Sequence, residues 1–261
     1  WIPKSDKLKL HTKEIYQQNE NKIPKRLTKR LVLCRVARVF DPVGFASAFI
    51  IRAKIGLQDL WKRGLDWDDE LPPDLQEFWT NLFGEGLLLS HLEFERCLTP
   101  ANAMDPPILC MFSDASMEAF GACSEAGCKL ENGQFAVRFI TAKSRVAPLK
   151  QLTIPRLELQ GAVLATRLNK TILEETRLKF ERTIFFHDRK IVLAWIRGEG
   201  RKFKPLVSIR VREIQSNSDP ATWRYLPAQY NVADDVSCGI YAQRSNRKMG
   251  TRSTVPHIAR A

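Results

Sequence analysis

The chain has 261 residues, 44% of them apolar and 27% charged, enough for one large or two modest folded domains. A net charge of +12 and a pI near 9.6 suit a polyanionic partner, with nucleic acid favoured over anionic lipid. No apolar run approaches the length of a membrane span and no signal peptide opens the chain. The six cysteines are scattered, which favours a reducing compartment, so an intracellular protein (cytoplasmic or nuclear) without a membrane partner is expected. The first residue is Trp1 rather than Met, so a fragment of a longer chain is expected.

Residues 1 to about 30 are polar and lysine-rich and read as a linker. An apolar pattern from Leu31 to Phe40 stops at the turn signal Asp41-Pro42-Val43-Gly44. Ala46, Phe49, Ile50, Ala53, Leu57, Leu60 and Trp61 then recur at helical steps, and a further helix is expected over Asp74 to Leu82, with Asp74 as its cap. The acids Asp68, Asp69 and Glu70 between them point in different directions and read as a solvated turn. A linker rich in Pro, Asn and Asp, from Thr99 to Pro107, closes this first part.

The apolar run Ile108-Leu109-Cys110-Met111-Phe112 reads as a buried strand that carries Asp114 to the edge of a core. Two more strands, over 119–126 and 134–142, flank an Asn132-Gly133 hairpin turn. A helix capped by Thr153, with Pro155 in its first turn, presents Leu157, Gly161, Leu164, Leu168 and Ile172 on one face and Glu158 beside it. Small Ala162 and Ala165 let it approach a strand closely; taken alone, Glu158 reads as a first-turn acid favoured by the helix dipole. Thr183 to Phe186 is a buried strand ending at His187-Asp188, with His187 expected on the side opposite Asp188. Helices over 191–195 and 206–214, a basic loop from Arg197 to Lys204, a strand over 223–226 and the segment Asn231 to Asp235 follow. Asp235 is expected to face solvent, and the tail from 241 to be basic and disordered. Cys110 reads as core, while Cys123 and Cys128 make at most half a zinc site.

Asp114, Glu158, Asp188 and Asp234 thus each stand on or just after a separate apolar element. Four carboxylates brought together repel strongly unless cations neutralise them, which points to a site for hard divalent metals.

The order of these elements resembles the ribonuclease H fold. More closely, the chain resembles the Pol polyprotein of the BEL/Pao class of long-terminal-repeat retrotransposons, in the region often called the Pao retrotransposon peptidase. The residues that carry the resemblance are Thr28-Lys29-Arg30, Phe40-Asp41-Pro42-Val43-Gly44, Trp67-Asp68-Asp69, Phe112-Ser113-Asp114-Ala115-Ser116 and Ala142 to Pro148. Pro155-Arg156-Leu157-Glu158-Leu159, Val192 to Ile196, Trp223-Arg224-Tyr225 and Ala233-Asp234 complete it. The resemblance implies an α/β (α+β) ribonuclease H-like mixed five-stranded sheet flanked by helices over 107–240. It also implies a smaller helical region over 1–106 that follows an absent reverse-transcriptase core. The four acids would be catalytic ligands of two Mg2+ or Mn2+ ions about 4 Å apart, with Asp114 bridging, hydrolysing the RNA strand of an RNA–DNA hybrid. Arg138, Lys143, Arg145, Lys150, Arg156, Arg201, Lys202 and Lys204 would track phosphates with little base reading. The remainder of a Pol polyprotein would be the protein partner.

The chain departs from the family pattern at several points. Arg189 replaces a small hydroxyl residue after the third acid, Val232 a proline and Cys238 an arginine, and no His lies between Asp188 and Asp234. Two other readings stay open: a nucleic-acid-binding remnant without catalysis, and an aspartic peptidase. The peptidase ranks last, because Asp114-Ala115-Ser116 lacks the glycine of an Asp-Thr/Ser-Gly loop and no second copy exists.

Overall fold

The computed structural model describes residues 1–10 and 26–240. Its first strand, β1 (Lys7–Lys9), pairs antiparallel with β2 (Glu93–Glu95), setting Leu8 opposite Phe94. This corrects the linker reading for the chain's start: Leu8 and buried Leu10 give a short polar stretch two apolar anchors. Between the two strands lie α1 (Lys29–Ala37), α2 (Ser47–Lys62) and α3 (Pro73–Gly86), packed around fully buried Leu60 and Trp79. Thr28 caps α1 by accepting from the Leu31 amide at 3.3 Å. Asp74 is not a cap; it stands in the first turn of α3, behind Pro72, and pairs with Arg63. The acidic turn is solvated as expected, with exposed Asp68 bonded to Arg30 at 2.8 Å.

A five-stranded sheet follows. β3 (Ile108–Ala115), β4 (Ala119–Lys129) and β5 (Phe135–Val146) form an antiparallel meander. β6 (Thr183–His187) and β7 (Trp223–Tyr225) add parallel strands, giving the order β5-β4-β3-β6-β7. One face packs under α4 (Ile154–Glu175), α5 (Lys190–Arg197) and α6 (Pro205–Asn217), through Met111, Leu157, Leu164, Leu168, Phe185 and Trp223. The other buries Ile108, Cys110, Phe112 and Phe186, with Val236 packed on them from α7 (Asp234–Cys238). β3 is therefore covered on both faces, which is why it reads as a continuous apolar run rather than an alternation. Each fully buried large side chain in these layers contributes roughly 1.5–3 kcal/mol.

The first region docks on β5 through α2. Ser47 Oγ donates to the Ala142 carbonyl at 3.2 Å, Lys54 Nζ to the Ser144 carbonyl at 3.1 Å and Gln58 Nε2 to the Ala147 carbonyl at 2.8 Å. The Ile240 amide, just past α7, donates to the Ala48 carbonyl at 2.9 Å. Asp41 accepts from the amides of Gly44, Phe45 and Ala46, which makes the predicted turn. Gly44 in that turn has φ +87° and lies so near Ala142 that a Cβ would overlap its carbonyl oxygen. The expected basic tail from 241 onward lies outside the described residues.

Candidate metal centre

The four predicted acids meet at one end of the sheet. Asp114 stands near the end of β3 on the face it shares with Phe112, where Ser237 Oγ on α7 donates to its Oδ2. Glu158 lies in the second turn of α4 and is fully buried. α4 reaches this depth because of Gly161, where a Cβ would sit 2.8 Å from the Asp114 carbonyl oxygen. The sequence pointed to Ala162 and Ala165 for this approach; both are buried, but the contact with β3 belongs to Gly161. Asp188 directly follows β6, and Asp234 opens α7.

The donors form two halves. Asp114, Asp234 and Cys238 offer ligand atoms within 4.8 Å of one another, as do Glu158, His187 and Asp188. The halves share an electrostatic field. Burial pushes Asp114 up to about 7, and the neighbouring charges of Asp188 and Asp234 add to that against the Ser237 hydrogen bond. Burial likewise pushes Glu158 up to about 8, helped by Asp114 and Asp188 and opposed by Arg189. Asp188 is raised too, again mainly by burial. Carboxyls displaced this way cluster at functional sites.

Two corrections concern neighbours of the acids. His187 does not turn away from the site. It is fully buried, with Nδ1 3.0 Å from the Ser113 carbonyl and Nε2 3.5 Å from Glu158 Oε2. The strand ends at His187, so alternation does not extend to Asp188, and His187 shares the α4 face with Phe185. Burial holds this imidazole down to about 4, so it is neutral at pH 7. Asp235 is buried rather than solvent-facing, because it lies on α7 and that short helix packs between β4 and α2.

Sequence reasoning also assigned no role to Asn231 or Cys238. Fully buried Asn231 donates to the Ser113 carbonyl at 3.1 Å and hydrogen-bonds Asp188, tying two strands to the last site segment. Cys238 Sγ lies 3.4 Å from Asp234 Oδ1, and burial pushes its thiol up to about 11. The Asn-x-Ala-Asp spacing was the visible signal for Asn231; Cys238 showed only as a departure from a pattern.

The donor set fits hard divalent ions. Glu158 Oε2 and Asp188 Oδ1 are buried without a hydrogen-bond partner, and both belong to the cluster that also includes His187. The 3.5 Å approach of His187 Nε2 to Glu158 Oε2 is an ion-pair distance without hydrogen-bond alignment, so both atoms count as unpaired. Carboxylate oxygens left this way are what an oxygen-seeking cation takes up.

Of the basic residues, Lys143 and Arg145 are exposed on β5, paired with Ala122 and Phe120, and flank the level of Asp114, whose partner on β4 is Gly121. Arg138 is half-buried farther along, with its Nη1 on the Val137 carbonyl. Lys150 is exposed just before α4. Arg156, Lys202 and Lys204 line a cleft of about 510 Å³ with Trp195 and Phe203. Arg201 and Lys202 both pair with Glu199, at 2.9 and 3.0 Å, which offsets part of their charge.

A family model described as Pao retrotransposon-like RNaseH-like domain matches residues 28–189, more than half of the chain. The chain belongs to that family. The Pao match runs from the cap of α1 to Arg189, so it takes in three of the four acids and both regions of the fold. Its description names an RNase H-like domain and no peptidase.

Solved structures similar to the Pao chain include the N-terminal RNase H domain of Rv2228c from Mycobacterium tuberculosis, fused to maltose-binding protein. It has 11% identity and a TM-score of 0.35, covering 55% of this chain and 99% of that one. LC11-RNase H1 in complex with an RNA/DNA hybrid has 13% identity and a TM-score of 0.35, covering 52% and 97%. A foamy viral protease-reverse transcriptase in complex with double-stranded DNA has 14% identity and a TM-score of 0.43, covering 82% and 34%. No curated protein matches the chain. No helix among the described residues is long and apolar enough to cross a membrane.

Proposed function

We propose that this Pao-family chain is a divalent-metal-dependent nuclease that hydrolyses the RNA strand of RNA–DNA hybrids. The observation that carries this reading is the convergence of Asp114, Glu158, Asp188 and Asp234, with buried carboxylate oxygens left unpaired among them. These four acids would hold two Mg2+ or Mn2+ ions, whose chemistry when bound is to activate water and to stabilise the leaving oxygen. The chain's own groups set the geometry. Ser237 holds the Asp114 carboxylate, Asn231 holds Asp188, and the His187 imidazole sits between the Ser113 carbonyl and Glu158. Such supporting contacts orient ligands before an ion arrives.

In the same reading, Lys143, Arg145, Lys150, Arg156, Arg201, Lys202 and Lys204 follow the hybrid backbone, with Arg138 in a lesser part. The cleft between Trp195 and Phe203 offers an apolar wall beside three cations. Residues 107–240 carry this activity, and 1–106 is the stretch that follows a reverse-transcriptase core in a Pol polyprotein. A second reading, a hybrid-binding remnant without catalysis, is favoured by the Arg189–Glu158 ion pair.

The test is a hybrid labelled on both strands, incubated with Mg2+ or Mn2+ beside duplex RNA and duplex DNA. Shortening of the RNA strand of the hybrid alone supports the nuclease. Binding of the hybrid with both strands intact supports the remnant.

A further inference from the structure

Three buried side-chain atoms without a hydrogen-bond partner belong to one cluster: Glu158 Oε2, Asp188 Oδ1 and His187 Nε2. The nitrogen sets this half of the centre apart from an all-oxygen site, and both His187 and Glu158 are fully buried. The other ring nitrogen fixes the tautomer. Nδ1 lies 3.0 Å from the Ser113 carbonyl oxygen and 3.1 Å from Ser113 Oγ. A carbonyl oxygen only accepts, so Nδ1 carries the proton and Nε2 keeps a lone pair.

That nitrogen stands 3.5 Å from Glu158 Oε2. A shared proton would draw the two atoms to about 2.7–3.2 Å. Two ligands of one ion, at bond lengths of about 2.1 Å and a tetrahedral angle, stand about 3.4 Å apart. The observed separation therefore suits a common ion. A ring N–H held by a backbone carbonyl is also the arrangement that orients metal-binding imidazoles. Arg189 Nε takes Glu158 Oε1 at 3.1 Å, which leaves Oε2 for the cluster.

We infer that His187 Nε2 is a metal ligand, so that the Glu158–His187–Asp188 half of the centre selects a transition-series divalent ion (Mn2+, Co2+ or Zn2+) over Mg2+. The inference rests on the metal reading above and extends it from carboxylates to a nitrogen donor. Mg2+ is a hard ion that takes oxygen ligands, whereas imidazole suits the softer divalent ions.

The experiment uses the full chain with His11→Gln, His91→Gln and His257→Gln, so that His187 is the sole histidine, and labels it with 15N. Mn2+ is added to saturation and its couplings are read by electron–nuclear double resonance, beside calorimetric titrations with Mn2+ and Mg2+. The expected result is a 15N coupling of the size that a directly bound imidazole gives, with an Mn2+ ion held about tenfold or more tighter than Mg2+. His187→Gln should abolish the coupling and lower the preference for Mn2+ by about tenfold. The labelled protein carries the test even where that buried substitution unfolds the chain. Bound Mn2+ without a 15N coupling would overturn the ligand role of His187 and leave the metal reading standing. No Mn2+ binding would overturn the metal reading itself.

Discussion

Gly161 and Asp114 touch backbone to backbone, and that contact sets how deeply Glu158 is carried into the centre. A methyl at 161 meets a carbonyl oxygen at 2.8 Å, which cannot move aside as a flexible side chain can. The overlap costs about 3 kcal/mol, and alanine's better helix propensity returns about 1 kcal/mol. Gly161→Ala should therefore lower the Tm by about 4–8 °C in a thermal melt. It should also reduce the Tm gain on adding Mn2+, because Glu158 is displaced. The titrating groups make a second expectation. Folded Asp114 and Glu158 keep protons to about 7 and 8 that the unfolded chain releases near 3.8 and 4.5, so the metal-free protein loses stability as pH rises through that interval. His187 opposes them below 6.5, since the unfolded chain then binds a proton that the folded chain refuses until about 4. The carboxyls act unopposed above 6.5. In chelator, the Tm should fall between about pH 6.5 and 8.5, less steeply in Asp114→Asn, and excess divalent ion should restore much of the loss.

At the scale of elements, α2 is held along β5 and its end by hydrogen bonds from Ser47, Lys54 and Gln58, with Gly44 just before it close against Ala142. Gly44→Ala forces an L side chain into the left-handed region, at roughly 1–2 kcal/mol, and into the Ala142 carbonyl, at a further 1–3 kcal/mol. A shift of the urea midpoint equivalent to about 3–4 kcal/mol is expected, and an unchanged midpoint would show that this docking contributes little. Element type was mostly legible before the fold: β3, β6, α4 and α6 stand where period and turn residues put them. What was not legible depended on where an element stops. His187 was misplaced by carrying strand alternation past a strand's end, and Asp235 because the short helix that buries it was not foreseen. β1 was missed because three residues hold no period; its pairing with Glu93–Glu95 is a long-range fact. Thr153 sits at the N-cap of α4 as expected, yet its side chain makes no capping bond there.

For the whole molecule, a net charge of +12 accompanies an acidic centre in which Asp114 and Glu158 are buried. Hybrid affinity should then fall steeply with salt, and replacing Arg156 and Lys204 together by alanine should lower the slope of log affinity against log salt by about 2. A slope unchanged by that pair would remove the cleft beside Trp195 from the binding face. The four acids were readable in sequence because each stands on or beside its own apolar element, and the fold brings those elements together. Their support was not readable. Asn231, His187 and Arg189 act through contacts 31 to 118 positions away, which no local pattern shows.

The most direct measurement is the rate of RNA-strand cleavage of a hybrid in Mg2+ and in Mn2+, for the wild type beside Asp114→Asn. The expected result is ion-dependent cleavage that the substitution lowers by about a hundredfold or more, since Asp114 stands where both halves of the centre meet. Cleavage that survives Asp114→Asn, or that proceeds in chelator, would contradict the account.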